Sequence, residues 1–84
     1  MAELTSLMNI GKVIEKRLKS VDISTAEELK KVGSKEAFTR IKLRYPNICL
    51  VHLYSLEGAI LGVKYHQLPE DTKQSLKDYS NSFR

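Results

Sequence analysis

Apolar residues return along the chain at helical intervals, and polar residues fill the positions between them. Ile10, Val13, Ile14 and Leu18 recur three and four apart with Lys12, Lys16 and Lys19 between them, and Asn9 stands in N-cap position, which predicts a first helix over 10–20. Val21-Asp22-Ile23 then reads as a tight connection. Thr25-Ala26-Glu27-Glu28 offers a capping box, in which hydroxyl and carboxylate satisfy each other's backbone donors, so a short second helix starts there. It turns Ala26, Leu29 and Val32 inward and stops at Gly33, where a left-handed C-terminal cap is expected. Ser34 is the expected cap of a third helix with Ala37, Phe38, Ile41 and Tyr45 inward, ended by Pro46.

The next segment is the most hydrophobic. Asn47 is the expected cap of a helix over 48–61 that is apolar on most sides, except near His52, Ser55 and Glu57, and therefore belongs at the centre. Gly58 and Gly62, four apart, suit close backbone approach on one face, with Gly62 read preferentially as the C-terminal cap. After a connection over 63–68, Pro69 followed by Glu70 and Asp71 has the chemistry of a helix N-terminus. This fifth helix, over 69–80, has only Leu76 and Tyr79 to pack with and should fray toward Arg84. No strand-period segment, internal repeat or long linker interrupts the series. The fold class is all-α: a compact bundle of about five short helices around the helix over 48–61, with the first two resembling a helix-hairpin-helix.

Size and composition narrow the class further. Eighty-four residues fit one domain, taken as 1–84 with an ordered core over about 7–80, and exclude a two-domain enzyme. A chain of this length buries roughly 60–65% of its unfolded surface, so a stability of about 4–12 kcal/mol is expected. The 42% hydrophobic and 29% charged content disfavours disorder. The run from Ile48 to Val63 is too short and too interrupted to span a membrane. Met1-Ala2-Glu3-Leu4 lacks the basic and apolar regions of a signal peptide, which makes a cytoplasmic location the expectation. An initiator-like Met1 favours a stand-alone chain.

Two segments resemble the TfoX C-terminal domain family. The first runs from Leu7-Met8-Asn9-Ile10-Gly11-Lys12 through Val21-Asp22-Ile23-Ser24-Thr25-Ala26-Glu27-Glu28-Leu29-Lys30-Lys31-Val32-Gly33. It is similar to that family's leucine-asparagine-leucine-glycine opening, glycine-isoleucine turn and helix ending in leucine-glycine. The second, Leu53-Tyr54-Ser55-Leu56-Glu57-Gly58-Ala59-Ile60-Leu61-Gly62-Val63-Lys64-Tyr65-His66-Gln67-Leu68-Pro69, resembles its leucine-glutamate-glycine-alanine helix. In the family that helix precedes an aromatic, a leucine and an acidic final helix. The match covers about residues 7–80. TfoX-like proteins are bacterial regulators associated with competence for DNA uptake, in which this domain usually follows a separate N-terminal domain and also occurs alone. The resemblance implies a helical, autonomous module and brings no catalytic residues. The helix, turn and helix over 10–33 is also similar to a helix-hairpin-helix, which holds DNA phosphates on the backbone amides of a glycine-rich hairpin. Here Asp22 replaces the glycine and sets a carboxylate where phosphate would lie, so the hairpin is expected to keep its packing role and lose its phosphate role.

The remaining chemistry is sparse. Cys49, the one cysteine, lies in an apolar run and reads as a buried structural thiol. Cys49 and His52 share a helix face, yet a tetrahedral zinc site would need ligands that the inventory does not supply, His66 being on another segment. His52 reads as a polar residue at the edge of the core. Glu57 is expected to pair with Arg40, Arg44 or Lys12, or to cap an adjoining helix. Neither a nucleophile elbow nor a phosphate-binding loop is present, so no enzyme activity, cofactor, metal or small-molecule substrate is expected.

The charge is uneven. Residues 9–46 hold ten Lys+Arg against five Asp+Glu, while residues 47–84 hold four of each, within a net charge of +4. Lys12, Lys16, Lys19, Lys35, Lys42 and Arg44 form a candidate basic face for nucleic acid or a partner, although Glu15, Glu27, Glu28 and Glu36 cancel much of it locally. The reading favoured is a non-catalytic regulatory or protein-interaction module with protein partners, no membrane contact and an oligomeric state that the sequence leaves open. A weak, sequence-independent DNA-binding domain is the alternative.

Overall fold

The computed structural model describes residues 3–82. Within them the chain forms α1 (Lys12–Lys19), α2 (Ala26–Val32), α3 (Ser34–Arg44), α4 (Leu50–Leu61) and α5 (Glu70–Asn81), with single 3-10 turns at Leu4–Ser6 and Tyr65–Gln67. No strand forms among the described residues. The all-α bundle expected from the apolar spacing is therefore what the chain adopts. The structure of Met1, Ala2, Phe83 and Arg84, and with it the expected fraying toward Arg84, lies outside the described residues.

α4 is the hub, packing against α2, α3, α5 and the Tyr65–Gln67 turn. Phe38 and Ile41 from α3, Leu53 and Leu56 from α4, Leu18 from α1, Leu29 from α2 and Ile23 from the connection are all fully buried in one core. Leu4 is fully buried with them, so packing begins ahead of the start expected near residue 7. Burying so many leucine-sized side chains, at about 1.5–3 kcal/mol each, is the main term holding the helices together.

The helix ends depart from expectation in instructive ways. Asn9 does not cap α1. It adopts a left-handed backbone with φ 71°, and Gly11 takes the N-cap position. The Asn9 side chain instead reaches across the molecule, where Nδ2 donates to the Val63 carbonyl at 2.9 Å and Oδ1 accepts from the Tyr65 amide at 3.2 Å. Gly58 makes room for it, since a Cβ there would stand 2.5 Å from Asn9 Nδ2 and 2.6 Å from the Val63 carbonyl oxygen.

Ser34 does not cap α3 either. Gly33 fills that position, and its φ of 91° and ψ of 158° are not the left-handed helical cap expected at the end of α2. The Ser34 hydroxyl donates to Glu57 Oε1 at 2.6 Å. Glu57 thus serves the N-terminus of an adjoining helix, one of its two expected roles, while Arg40 pairs with Glu36 at 2.9 Å. Asn47 is displaced as cap by Cys49, two residues later and exposed to solvent, which corrects the reading of a buried thiol. The Thr25 box forms as expected: its hydroxyl accepts from the Glu28 amide at 3.1 Å, and the Glu28 carboxylate accepts from the amide of Ser24 at 3.2 Å. Gly62 is the left-handed cap of α4, at φ 77° and ψ 29°.

Candidate functional site

α1, the end of α3 and the start of α4 meet around a pocket of about 370 Å³. Arg17 enters from α1, Arg44 and Tyr45 from the end of α3, and Cys49 and His52 from the start of α4. Pro46 stops α3 immediately before this point, so that cation and ring face the first turn of the next helix. That turn has no side-chain cap and no acidic residue, and the positive end of the α4 dipole is left uncompensated.

Arg17 organises the wall. Its guanidinium stands 5.2 Å from the centre of the Tyr45 ring and donates from Nη1 to His52 Nε2 at 2.7 Å. Arginine can only donate, so Nε2 accepts and the neutral imidazole carries its proton on Nδ1, 3.9 Å from Cys49 Sγ. Burial, aided by the Arg17 charge, lowers the His52 pKa below 6.5. Cysteine and histidine therefore share a face as expected, but the lone pair that would act as base or metal ligand is engaged by Arg17. Among the described residues no group of three His, Cys, Asp or Glu side chains could hold a metal ion.

Tyr45 senses the same cations. Hydrogen bonds from the Ser20 and Arg44 side chains, together with the charges of Arg44 and Lys16, lower its phenol pKa below 10.0. Neither Arg17 nor Arg44 meets a carboxylate among the ion pairs of the described residues, which join Lys19 to Glu15, Arg40 to Glu36 and Lys73 to Glu70.

The six expected basic residues are not one face. Lys16 and Arg44 converge on Tyr45. Lys42 lies nearby, but its ammonium donates to the Ile48 carbonyl at 3.1 Å. Lys19 is 3.8 Å from Glu15, and Lys12 lines a separate groove beside Ile10 and Glu15. Lys35 points to α5, donating to Ser75 Oγ at 3.2 Å and lying 5.5 Å from the Tyr79 ring centre. Sequence reading missed Arg17, Tyr45 and His52 as members of the site. The available signal was the Arg44-Tyr45-Pro46 break facing a helix start without an acidic residue.

The hairpin between α1 and α2 has no amide to spare. The N–H groups of Ser20, Val21, Asp22 and Ile23 donate to carbonyls of residues 16, 18 and 19, and that of Ser24 donates to Glu28. Asp22, at φ 67°, makes the turn that a glycine would make. A larger groove of about 700 Å³ runs between the start of α3 and α5, but its Lys35, Ser34 and Glu57 are already bonded within the protein.

Comparison with known proteins agrees with the two segments singled out in the sequence. The TfoX C-terminal domain pattern matches residues 1–79. The chain belongs to the TfoX C-terminal domain family. Among solved structures it is similar to an uncharacterized protein from Listeria monocytogenes in a triclinic crystal form, with 48% identity and a TM-score of 0.96 over 98% of this chain and 93% of that one. It is also similar to a protein of unknown function from Listeria monocytogenes in a tetragonal form, with 46% identity and a TM-score of 0.95 over 98% and 100% of the two chains. A search of curated proteins finds no match. As a TfoX C-terminal domain, the chain places its two hallmark segments in direct contact, Asn9 of the first against Gly58, Val63 and Tyr65 of the second. This contact is a device of packing, and the residues that line the cationic pocket are not part of it.

Proposed function

We propose that the protein is a non-catalytic regulatory module that acts by binding a protein partner through the face formed by α1, α3 and α4. One observation carries this reading: the uncompensated guanidinium groups of Arg17 and Arg44 lie on helices that also expose Val13 and Leu43, and the neighbouring α4 exposes Val51. Val13 is 63% exposed, Leu43 79% and Val51 46%; they stand four residues before Arg17, next to Arg44 and next to His52. Arginine beside apolar surface is the composition of interface centres, and it fits a partner that offers apolar groups around an anion. The neutral, engaged His52 supports a binding role over catalysis, and membership of the TfoX family supports a regulatory one. The test is affinity capture from the source cells with the wild-type chain beside Leu43→Glu and Arg44→Glu. A protein retained by the wild type and lost from both variants is expected, whereas identical retention by all three overturns the reading.

The charge surplus of residues 9–46 favours a second reading, weak sequence-independent binding of duplex DNA. Such binding would fall steeply with salt and respond to Lys12→Glu, Lys16→Glu and Lys42→Glu. If anisotropy with a duplex oligonucleotide detects no binding at low ionic strength, this reading fails.

A further inference from the structure

The geometry points to the pocket between α1, α3 and α4 as a binding site for the phosphate monoester of a small molecule. The inference deepens the partner reading, because it assigns a ligand to the centre of the same face and so rests on that face being a binding surface. The donors are of the right kind. Arg17 spends one N–H on His52 and keeps the rest of its fork, and Arg44 takes part in none of the ion pairs of the described residues. Planar guanidinium groups match phosphate oxygens in pairs, a match that lysine cannot make.

The charge count selects the ligand. Arg17 and Arg44 line the pocket, the Lys16 charge acts on the same Tyr45 phenol, and no Asp or Glu lines it. A phosphate monoester brings about −1.5 to −2 at neutral pH. A carboxylate or a phosphodiester brings a single negative charge and leaves the excess of cations standing. The first turn of α4 opens on the pocket with no acidic residue of its own, adding amide donors to the side-chain cations.

The shape selects against a duplex. The pocket is concave, and about 370 Å³ is at the small end of ligand clefts, room for a terminal phosphoryl group and a compact body. A duplex needs cations spread along a face. Here Lys35, Lys42 and Lys19 are turned to Ser75, to the Ile48 carbonyl and to Glu15, and the hairpin amides are spent inside the chain.

The experiment is a nitrogen-15 NMR titration of the full chain with glycerol 3-phosphate, beside dimethyl phosphate, acetate and a short duplex, at low ionic strength and at about 0.15 M salt. Saturable, concerted shifts of the Arg17 and Arg44 Nε–H signals and of the amides over 49–51 are expected, with affinity for glycerol 3-phosphate at least about tenfold above dimethyl phosphate and acetate. Two variants should weaken binding at least about tenfold. Arg44→Gln removes a donor at an exposed position, and Cys49→Asp sets a carboxylate at the mouth while supplying α4 with a favoured cap residue, so the fold is expected to be kept. Circular dichroism and thermal melting of both variants check that the fold is kept. The proposal is overturned by shifts that do not saturate, by shifts spread equally over Lys12, Lys19 and Lys35, by dimethyl phosphate or the duplex binding as tightly, or by an unaffected Cys49→Asp. Failure here with partner capture still dependent on Leu43 and Arg44 removes the ligand and leaves the partner reading intact. Binding of glycerol 3-phosphate without any captured protein does the reverse.

Discussion

Asn9 and Gly58 form a pair in which each explains the other. The asparagine amide needs a place above α4 that only a residue without a side chain leaves open, and the hydrogen bonds it makes there hold the chain ahead of α1 to the end of α4. Gly58→Ala should gain about 1 kcal/mol of helix propensity and still lose net stability by about 1–2 kcal/mol, because the added Cβ meets a backbone carbonyl that cannot step aside. Combined with Asn9→Ala in urea unfolding, the two losses should sum to more than the double variant shows, since one of the two clashes disappears with the amide. Additive losses would mean that the pair is not coupled. His52 makes a prediction of a different kind. Its folded pKa is below 6.5, so above that pH both states hold it neutral and it confers no pH dependence. As the pH falls through 6.5 the unfolded chain takes up a proton that the folded site resists, and stability declines until the folded group titrates too. His52→Gln, which keeps an acceptor for Arg17, should abolish that decline between about pH 8 and 5, read as the difference in unfolding free energy from the wild type. A difference that stays constant with pH would show that His52 is not the group responsible.

At the scale of elements, helix existence was legible in the sequence and helix caps were less so, for a physical reason. Period and burial are local: Leu18, Leu29, Phe38, Ile41, Leu53 and Leu56 are spaced as helices demand, and all are fully buried. A cap is decided by competition for the polar side chain. Thr25 has no distant suitor and caps as its box suggests, but Ser34 is taken by Glu57, 23 residues away, and Asn9 by groups 54 and 56 residues away. No local pattern reveals such partners. The same blindness hid the site, because Arg17 and His52 meet across 35 residues. α4, like α1 and α3, is left without its expected cap. Cys49 sits at the N-cap with extended backbone angles and no side-chain hydrogen bond to the helix. Cys49→Ser, which supplies an accepting oxygen at nearly the same size, should therefore stabilise the protein by about 0.5–1 kcal/mol in thermal or urea unfolding. A neutral or destabilising result would mean that the thiol's neighbours, His52 above all, hold the turn more firmly than a cap could.

For the whole molecule, the central observation is that the two segments carrying the family resemblance touch each other directly, Asn9 of the first against Val63 and Tyr65 of the second. The Asn9 side chain closes the N-terminal segment onto the end of α4, Glu57 fastens the start of α3, and Glu3 forms a lone antiparallel bridge with Thr25. These ties are long in sequence, so the chain ahead of α1 belongs to the same cooperative unit as the helices. Leu4 is the test, being fully buried in the common core although it precedes α1 by eight residues. Leu4→Ala should cost about 2–5 kcal/mol, the range for emptying a leucine site in a packed interior. Against a total of about 4–12 kcal/mol for a chain of this size, that loss is large enough to lower the midpoint of the whole transition. Unfolding followed by far-ultraviolet circular dichroism and by tyrosine fluorescence should shift together and remain superimposable. Were the residues ahead of α1 merely draped over a finished bundle, Leu4→Ala would leave the helical transition unmoved, and the contact between the two hallmark segments would be an ornament of the fold rather than part of what stabilises it.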